Sequence, residues 1–581
     1  MRKSTLFLSL FTLIGGCLVS CGNKTVDYNL DNFLPNGTSE NPYQIVKEPI
    51  TIHIFAPKSS GNPEYKDQKM FKYLSKITNI NFRFTTPDTS AYNNQRAAVW
   101  SNPKNTPDLF LFNNPIAEQV QYAENNFDAL TPFNKAGYKD STGEVGSLID
   151  NYMPNYKKLL DNNFNIDRSK EDAKKTATLS NGLMYCSLSA KDVARDLTYK
   201  MFINNVWIKN VYNGYPKSYA KTHNIDDASK IKTIDDYVGI LTDFKNYDAN
   251  NDGRSDNEIP VSSKQYEYFR NFILQSYGYV TNGMEIEDDG SKFTFVCITE
   301  AYKKYLKTAN SMWDAGLIDK NTSANKTDTT MAANGKILGS FVAAAPYLIT
   351  SQKEDPNNFK EDGSKYTYDE EYVTVSPLTS SYYNGPLKQL GLGYFRADGA
   401  TIPTKSIYKR EVARLLDIMY SELGTQLISY GVENEDWTWD DEAHTSWTFN
   451  VPSSFTGNQE EYRATITPNV GSASALYWSN DFVGKMNDKV ITKLNEQSEI
   501  YTPYLKTPEP QEYKFTSKEY EEITTIKASL DSQITYYEAS FIEGNIDINN
   551  DSNWNSYLST IKKFHGNKLE DIYNTMLQRY K

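Results

Sequence analysis

Two kinds of apolar spacing follow one another in the first part of the chain. Apolar residues alternate with other residues over 50–54 and 80–84, which is typical of β-strands. Between these stretches the apolar residues of 70–77 recur at helical spacing, and 92–100 also has a helical pattern. A short apolar run at 108–112 indicates a buried strand. This order of elements predicts a parallel sheet with crossover helices, and therefore an α/β fold.

Ligands of parallel sheets bind beyond the carboxyl ends of the strands. We therefore expect Pro57-Lys58-Ser59 and Asn113-Asn114, which follow predicted strands, to lie at a cleft. Further helices are predicted over about 233–246 and 299–315, and another after Lys409.

A long helix is also predicted near the end of the sequence. Thr516 with Glu519 forms a capping box that starts it, and Gly544 is expected to cap its end.

Length and charge narrow the possible functions. A chain of 581 residues exceeds what one hydrophobic core organises, so we expect two large lobes. The formal net charge is -12, and this acidic balance argues against nucleic acid and against an electrostatic hold on anionic lipid.

The first residues have the pattern of an export signal. A cationic start precedes an apolar stretch that is too short to span a bilayer, and Leu18-Val19-Ser20-Cys21 follows. This is the pattern of a bacterial lipobox, so we expect residues 1–20 to be removed and Cys21 to carry a diacylglyceryl group. Cys17 is the alternative lipidation site, and an ordinary secretory signal is the alternative explanation.

Residues 21–48, rich in Asn, Gly, Ser and Pro, are predicted to be a flexible tether, with lipid as the only membrane anchor.

Cysteine and histidine usage argues against several classes of site. After processing, Cys186 and Cys297 remain besides the lipidated cysteine, and either a disulfide or two buried thiols is possible. The four histidines show no metal-ligand spacing, which makes a zinc enzyme improbable. The 43 tyrosines are a composition that suits stacking on sugar rings.

Several segments resemble family 1 extracellular solute-binding lipoproteins, which capture substrate for oligosaccharide ABC importers. Trp100-Ser101 through Pro107-Asp108-Leu109 resembles the family's Ser-Gly-x-x-Pro-Asp element, and Asn181-Gly182-Leu183-Met184-Tyr185 resembles its Asp-Gly-Lys-Ile-Tyr. Ala315 to Asp319 resembles Glu-Gly-Leu-Ile-Asp, and Leu415 to Glu433 resembles its helix followed by Tyr-Gly-x-Glu. Phe541 to Gly544 with Trp554 and Tyr557 resembles the closing Phe-Ile-x-Gly and Trp-x-x-Tyr. The closest subgroup comprises large Gram-positive lipoproteins that are similar to alginate-oligosaccharide binding proteins.

The resemblance implies a two-lobed periplasmic-binding-protein-like fold with a hinge, an interlobe cleft and a helix-rich C-terminal lobe. We expect residues 49–180, with a returning segment near 335–400, to form the N-terminal lobe, and 181–334 with 401–581 to form the C-terminal lobe. The implied function is capture of an oligosaccharide and its delivery to the permease subunits of an ABC importer. The protein would be a monomer without enzymatic activity, lipid-anchored at the extracellular face of the membrane and binding no nucleic acid.

One departure from the family concerns the ligand. Where the family often has Arg-x-Asp-Trp-Leu, this chain has Asn204-Asn205-Val206-Trp207-Ile208. Arginine can hold a carboxylate bidentately, so its absence argues against acidic sugars such as uronates.

One loop has the spacing of a calcium site. Oxygen-bearing side chains stand at positions one, three, five and nine of an EF-hand-type loop, with Gly253 at six. The usual glutamate at position twelve is missing because Ile259 stands there, and Asn257 displaces Glu258 by one from the family's arrangement. A metal-free polar turn is the alternative. The predicted ligands of a structural Ca2+ are Asp248, Asn250, Asp252, the Arg254 carbonyl, Asp256 and Glu258.

Aromatic and polar residues near predicted strands are the candidates for sugar binding. Trp313 and Trp554 lie in helical patterns and are predicted to be core. Alternation places Trp437 and Trp439 on the same face of a strand. The predicted substrate-binding residues are Asn113, Tyr185, Trp207, Tyr394, Trp439 and Trp478.

Two other classes of function remain open. A glycoside hydrolase needs two carboxylates across a sugar, and Asp440-Asp441-Glu442 is the candidate, although adjacent acids in a turn are usually solvated. A calcium-dependent adhesin or a peptide-binding lipoprotein is the other alternative, and the parallel sheet argues against a β-sandwich adhesin. No Gly-x-Ser-x-Gly, His-Glu-x-x-His or phosphate-binding glycine loop occurs in the sequence.

Overall fold

The structure is a computed structural model that describes residues 28–101, 106–124, 129–263, 266–322, 338–346, 350–457, 459–468 and 476–581. The predicted signal and Cys21 lie outside these residues. The strands, numbered in chain order, are β1 Ile50–Phe55, β2 Ile80–Thr85, β3 Leu109–Leu111, β4 Lys139–Asp140, β5 Gly143–Glu144, β6 Ser189–Lys191, β7 Lys200–Asn204, β8 Ile259–Ser262, β9 Met284–Ile286, β10 Phe293–Phe295, β11 Leu338–Ala343, β12 Glu354–Phe359, β13 Lys365–Thr367, β14 Tyr372–Thr374, β15 Gln389–Leu390, β16 Phe395–Arg396, β17 Ala400–Thr401, β18 Trp437–Trp439, β19 Trp447–Phe449, β20 Tyr477–Trp478 and β21 Leu505–Lys506.

Helices lie between about half of the consecutive strands in the described residues. They are α1 Lys69–Thr78, α2 Thr89–Ser101, α3 Ile116–Glu124, α4 Leu148–Tyr152, α5 Pro154–Asp161, α6 Ala173–Ala177, α7 Asn205–Gly214, α8 Tyr219–Thr222, α9 Ile234–Asn246, α10 Tyr266–Leu274, α11 Glu300–Asp314, α12 Lys409–Met419, α13 Glu422–Tyr430, α14 Gln459–Ile466, α15 Asn480–Val483, α16 Lys489–Glu499, α17 Ser517–Ile542, α18 Asp551–Lys563 and α19 Gly566–Gln578.

The first sheet has the strand order β17-β3-β1-β2. Strand β1 runs parallel to both β2 and β3, with α1 and α2 as crossovers, which confirms the parallel arrangement expected from the apolar spacing. Ile52 and Ile54 are completely buried, because this alternating set of β1 side chains faces the core. Strand β17 joins the edge antiparallel to β3, after a long excursion of the chain.

The second sheet has the order β14-β7-β11-β8. Strand β11 is parallel to β8 and antiparallel to β7, and β14 is also antiparallel to β7. Three strands therefore run in one direction and β7 runs in the other.

Two large apolar cores define the two lobes. The N-terminal core contains buried residues between Phe33 and Val193 and again between Phe395 and Ile491. The C-terminal core contains residues between Met201 and Ile318, a few between Val342 and Leu378, and those from Phe515 to Leu577. Two parts of the chain lie differently from the expected division. Strand β11 pairs with the C-terminal sheet, whereas β16 and β17, at the end of the expected returning segment 335–400, lie with the N-terminal core and sheet. Apolar residues between 402 and 491 also pack in the N-terminal core.

The predicted helix starts agree with the structure. Thr233 and Asp236 form a capping box before α9, and Thr516 with Glu519 forms another before α17. Gly544 follows α17 with a φ of 75°, a conformation that glycine adopts without a Cβ clash.

Part of the predicted tether packs on the N-terminal lobe. Phe33 pairs with Val46 in a short antiparallel bridge, and Ile45 and Val46 are completely buried. The segment from Tyr28 to Glu48 therefore lies against the lobe, because its few apolar residues reach the core.

None of the helices in the described part of the chain is both long and apolar enough to cross a bilayer. Cys186 and Cys297 are buried free thiols, each in the interior of a different lobe.

Candidate functional site

The carboxyl ends of the parallel strands in both lobes meet the segments that cross between the lobes. In the N-terminal sheet the last residue of β3, Leu111, pairs with Ala400, the first residue of β17. In the C-terminal sheet the last residue of β11, Ala343, pairs with Lys200, the first residue of β7. In each sheet, a strand that follows a segment from the other lobe therefore starts beside the carboxyl end of a parallel strand. The carboxyl ends of parallel strands are where α/β folds bind ligands.

The loop after β3 is strained at this edge. Phe112 and Asn113 have φ values of 64° and 52°, a left-handed conformation that is costly for a bulky residue such as Phe112. The Tyr92 hydroxyl donates to the Phe112 carbonyl at 3.0 Å, and Arg96 donates to the Asn113 carbonyl at 2.6 Å. The backbone of Asn113 is thus held in place, while its side chain is half-buried at the edge of the sheet.

A three-stranded ribbon of order β16-β6-β20 borders the N-terminal core. We call it the crossing ribbon, because β6 and β16 are next in sequence to segments that pass from one core to the other. Its register aligns Phe395 and Tyr477 with Ala190, and all three are buried in the N-terminal core. Successive strand residues point to opposite faces, so the neighbouring residues form a second face. On it Lys191 lies between Trp478, its register partner, and Tyr394, whose carbonyl accepts a hydrogen bond from the Lys191 amide at 2.9 Å.

Charged groups surround Lys191. Burial lowers the pKa of its ammonium group. The carboxylates of Asp196, Asp398 and Glu171 oppose that decrease, and Arg396 adds to it. This part of the crossing ribbon therefore has donors and acceptors close together.

A cavity of about 480 Å3 opens beside the crossing ribbon. Its walls come from the loop before α6 and from three later segments, around 197, 391–394 and 502–510. The lining residues are Ser169, Lys170, Glu171, Leu197, Gly391, Gly393, Tyr394, Thr502, Pro503, Leu505, Thr507 and Pro510.

The Glu171 carboxylate joins these cavity walls. It accepts from the amides of Tyr394 at 2.9 Å and Phe395 at 3.1 Å, and from the Thr507 hydroxyl at 2.9 Å. The volume of the cavity is in the range of small-ligand sites.

The structure brings together two of the six predicted substrate-binding residues. Tyr394 lines the cavity, and Trp478 lies on the same face of the crossing ribbon. Trp478 is only 4% exposed, its indole N–H donates to Asp196 at 2.8 Å, and Tyr430 and Arg463 pack on its ring. Its ring faces are therefore occupied by the protein, and only Tyr394 borders open space.

The other aromatic candidates lie elsewhere. Trp207 is 2% exposed and packs edge-on against Phe244 in the C-terminal core, which corrects its expected place in the cleft. Tyr185 is also buried, in a small apolar cluster with Leu130. Trp439 is half-buried in the β18–β19 hairpin, where its ring stacks on His444 at 4.3 Å, and Trp437 is completely buried on the same side of that hairpin. Apolar burial, which the sequence pattern does not resolve, decided these positions.

The departure at Asn204 lies away from the candidate cleft. Strand β7 starts at the cleft edge, so Asn204 at its carboxyl end lies at the opposite edge of the sheet. Its side chain caps α7 by accepting from the amides of Val206 and Trp207, and it donates to Glu371 at 2.6 Å. The inference about acidic sugars from this motif therefore does not hold, because the residue is a helix cap.

The predicted calcium loop is a tight turn stabilised by its own carboxylates. Asp248 accepts from the amides of Asp252 at 3.0 Å and Gly253 at 2.9 Å, and Gly253 has a φ of 89°. Glu258 is 6% exposed, and one of its carboxylate oxygens accepts from the Ala249 amide. The second oxygen of Glu258 has no hydrogen-bond partner among the described residues, and this is also true of the Asn257 side-chain oxygen.

Other observations on the loop weigh against a preformed metal centre. Among the described residues, no three acidic, histidine or cysteine side chains are gathered closely enough to hold a metal ion. Asp256 points outward, with 76% of its side chain exposed, and pairs with Arg254. The loop thus has buried, uncommitted oxygens that fit a hard cation, with at least Asp256 turned away from them.

Sequence reasoning missed Glu171, Lys191, Arg396 and Asp398. They lie in short segments without a periodic pattern, and strand pairing over some 200 residues brings them together. The only signal in the sequence is the Gly391-Leu392-Gly393 stretch, where Gly393 has a φ of 79° and a Cβ would lie 3.3 Å from Glu171.

The chain is similar to substrate-binding proteins of ABC transporters. No family model matches it. The chain is 26% identical over 440 residues to the fructooligosaccharide ABC transporter substrate-binding protein FusA of Streptococcus pneumoniae, with 72% of each chain covered. The structure of S. pneumoniae FusA in complex with kestose has a TM-score of 0.67 at 19% identity, covering 91% of this chain and 99% of that one. A second FusA structure is an EF-hand mutant in complex with fructo-nystose.

A solved structure from another organism has the same fold. The HMO-binding, ABC-transporter-associated solute-binding protein of Bifidobacterium longum infantis has a TM-score of 0.69 at 15% identity, covering 92% of this chain and 99% of that one. The two-lobed α/β fold expected from the sequence is therefore confirmed. The resemblance to ABC importer substrate-binding proteins is confirmed as well, because the curated relative is such a protein.

Proposed function

We propose that the chain is the substrate-binding protein of an ABC importer, which captures an oligosaccharide between its lobes and delivers it to the permease. The observation that carries this proposal is the relationship to a fructooligosaccharide-binding protein over most of both chains. The topology supports it, since in both sheets a segment that comes from the other lobe pairs with the carboxyl end of a parallel strand, Ala400 with Leu111 and Lys200 with Ala343. Closure of two lobes around a sugar would exclude water from its hydroxyl groups.

The proposal includes no catalytic step. The hydrolase alternative rests on Asp440-Asp441-Glu442, which form an exposed turn at the hairpin tip. Hydrogen bonds from Ser446 and Thr448 lower the pKa of Asp440, and those from Thr445 lower the pKa of Asp441. A glycosidase general acid requires the opposite shift, so these residues do not support hydrolysis.

Calorimetry of the purified chain against a panel of glycans tests the proposal. The panel contains fructo-oligosaccharides, other neutral oligosaccharides and oligouronates of equal length. Heat of binding with an unchanged glycan after incubation supports capture. Absence of binding throughout the panel, or release of shorter sugars, would overturn it.

We also propose that Ca2+ stabilises the loop after α9. The donors would be Asp248, Asn250, Asp252, the Arg254 carbonyl, Asp256 and Glu258, with Asp256 turning inward. The uncommitted oxygen of buried Glu258 supports this, as does the EF-hand of FusA. A hard cation there would neutralise the clustered carboxylates and hold the turn.

Thermal unfolding with and without a chelator tests the calcium proposal. We expect the chelator to lower the melting temperature of the wild type and to leave that of Asp252→Ala unchanged. Equal melting temperatures of the wild type in both conditions would contradict calcium binding.

Anchoring and oligomeric state complete the proposal. We propose that Cys21 carries the lipid and that the folded part is a monomer at the extracellular face of the membrane. Replacement Cys21→Ser should move the protein from the membrane fraction to the medium, and light scattering of the soluble form should give the mass of one chain. Membrane retention of Cys21→Ser would contradict lipidation at this residue.

A further inference from the structure

The second face of the crossing ribbon carries polar residues beside Trp478, and we call this group of polar residues the polar face. It comprises Ser189, Lys191, Tyr394 and Arg396, together with Asp398 just beyond β16. Asp398 is 7% exposed, and one of its carboxylate oxygens forms an ion pair with the Arg396 guanidinium at 2.5 Å. The other oxygen has no partner among the described residues. The hydroxyl of Ser189, 9% exposed, likewise has no partner in the described part of the chain.

Uncommitted buried oxygens are unusual and require an explanation. A buried polar group without a partner costs free energy, and native proteins satisfy nearly all of them. A carboxylate only accepts, an ammonium or guanidinium only donates, and a hydroxyl does both. Sugar hydroxyls also donate and accept, so Asp398 and Ser189 beside Lys191 are complementary to a hydroxylated ring.

Access and charge narrow the class of sugar. The Arg396 side chain is 44% exposed, so the polar face is open to solvent at this end. Two cations, Lys191 and Arg396, stand with three carboxylates, those of Asp196, Asp398 and Glu171. An anionic sugar bound there would add negative charge beside the Asp398 and Glu171 carboxylates, which costs free energy at an incompletely solvated site.

We propose that the polar face is a sugar subsite in which Asp398, Ser189 and Lys191 bind the hydroxyl groups of an uncharged sugar unit. Asp398 accepts hydrogen bonds from hydroxyl groups, and Lys191 donates to their oxygens. Ser189 takes either role, and Tyr394 borders the subsite on the cavity side. This inference rests on the proposed function, since it names the class of sugar and the residues that select it.

Calorimetry with the tightest-binding neutral glycan of the panel, on the full chain, tests the subsite. We expect Asp398→Asn to weaken binding by about tenfold or more, since a hydrogen bond to a charged group is lost, and Ser189→Ala to weaken it less. The matched control Glu361→Gln changes an exposed carboxylate on another loop and should leave the affinity unchanged. An oligouronate of equal length should bind the wild type about tenfold more weakly or worse.

The outcomes separate this inference from the function itself. If the wild type binds a glycan and both Asp398→Asn and Ser189→Ala bind it within twofold, with native circular dichroism, the subsite is wrong and the binding function stands. Equal affinity for the oligouronate would overturn the preference for uncharged sugars. If Asp398→Asn fails to fold, Ser189→Ala and Lys191→Met provide the same test. If the wild type binds no glycan, the proposed function itself fails.

Discussion

Replacing Glu538 by glutamine removes the negative partner of a buried arginine in the C-terminal lobe. Arg270 on α10 and Glu538 on α17 are 2.7 Å apart, with side chains only 9% and 4% exposed. The Tyr305 hydroxyl on α11 donates to the other Glu538 oxygen at 3.1 Å. Three helices thus meet at one carboxylate. Glutamine keeps the shape, but it leaves the guanidinium of Arg270 buried without a counter-charge.

The expected cost follows from this burial. Breaking a buried ion pair by removing one partner costs about 3–5 kcal/mol, a large part of the about 5–15 kcal/mol that stabilises a typical domain. Urea unfolding followed by circular dichroism measures the loss of unfolding free energy. For a lobe of this size the melting temperature should fall by about 6–20 °C.

Two further variants make the test of the buried pair specific. Asp161→Asn breaks a half-exposed ion pair with Lys174 and should cost less than about 1 kcal/mol. The double variant Arg270→Met with Glu538→Leu should recover most of the stability, because no charge stays buried. A loss for Glu538→Gln no larger than that for Asp161→Asn would refute the reasoning.

Three further predictions concern the pH dependence of stability, the C-terminal core and the Glu171 carboxylate. Burial lowers the pKa of His53 from its ordinary value of 6.5 to about 4, so the side chain stays neutral in the folded state over this pH range. Because the unfolded chain takes up a proton there, the protein loses stability as the pH falls from 6.5 toward 4. The urea midpoint of His53→Gln should therefore fall less between pH 7 and pH 5 than that of the wild type, and equal falls would contradict this. Trp207→Ala should cost about 3–5 kcal/mol of stability without changing the glycan dissociation constant, whereas weaker binding at native stability would return Trp207 to the cleft. Glu171→Gln removes an acceptor from the Tyr394 amide or the Thr507 hydroxyl, so it should lower the free energy of unfolding by about 1–3 kcal/mol and alter the glycan affinity. If both values are unchanged, Glu171 does not join the segments of Tyr394 and Thr507.

Local features of the fold were readable from residue spacing. The apolar periods of 50–54, 70–77 and 80–84 predicted β1, α1 and β2, and the structure has these elements within two residues. The capping box at Thr516 and Glu519 located the start of α17, because the first amides of a helix need side-chain partners within a few residues. These features depend on neighbours in the chain.

The division into lobes could not be read in this way. Strand β11 belongs to the C-terminal sheet through pairing with β7, about 140 residues earlier in the chain. Residues 402–491 return to the N-terminal core because their apolar side chains fill it. A parallel or crossing pairing leaves no periodic signal at either partner, so local spacing does not show to which lobe such a segment belongs.

The candidate site shows the same distinction. Tyr394 was predicted because it follows an expected strand, whereas Trp207 had an equally suitable position and is buried against Phe244. Residue type and spacing describe what a side chain can do. Whether it borders a cleft depends on which distant elements cover it.

The sequence by itself therefore determined the class of fold, an α/β chain with two lobes, and supplied motifs that resemble those of sugar-binding proteins. Each of these properties is encoded in short stretches of neighbouring residues, through side-chain periodicity and capping. Only the tertiary structure decided which residues meet at the polar face. Ser189 and Arg396 lie more than 200 residues apart and become neighbours only through the pairing of β6 with β16. That pairing depends on the packing of Phe395 and Ala190 in the N-terminal core, and the energy of such packing comes from the whole lobe rather than from any single segment.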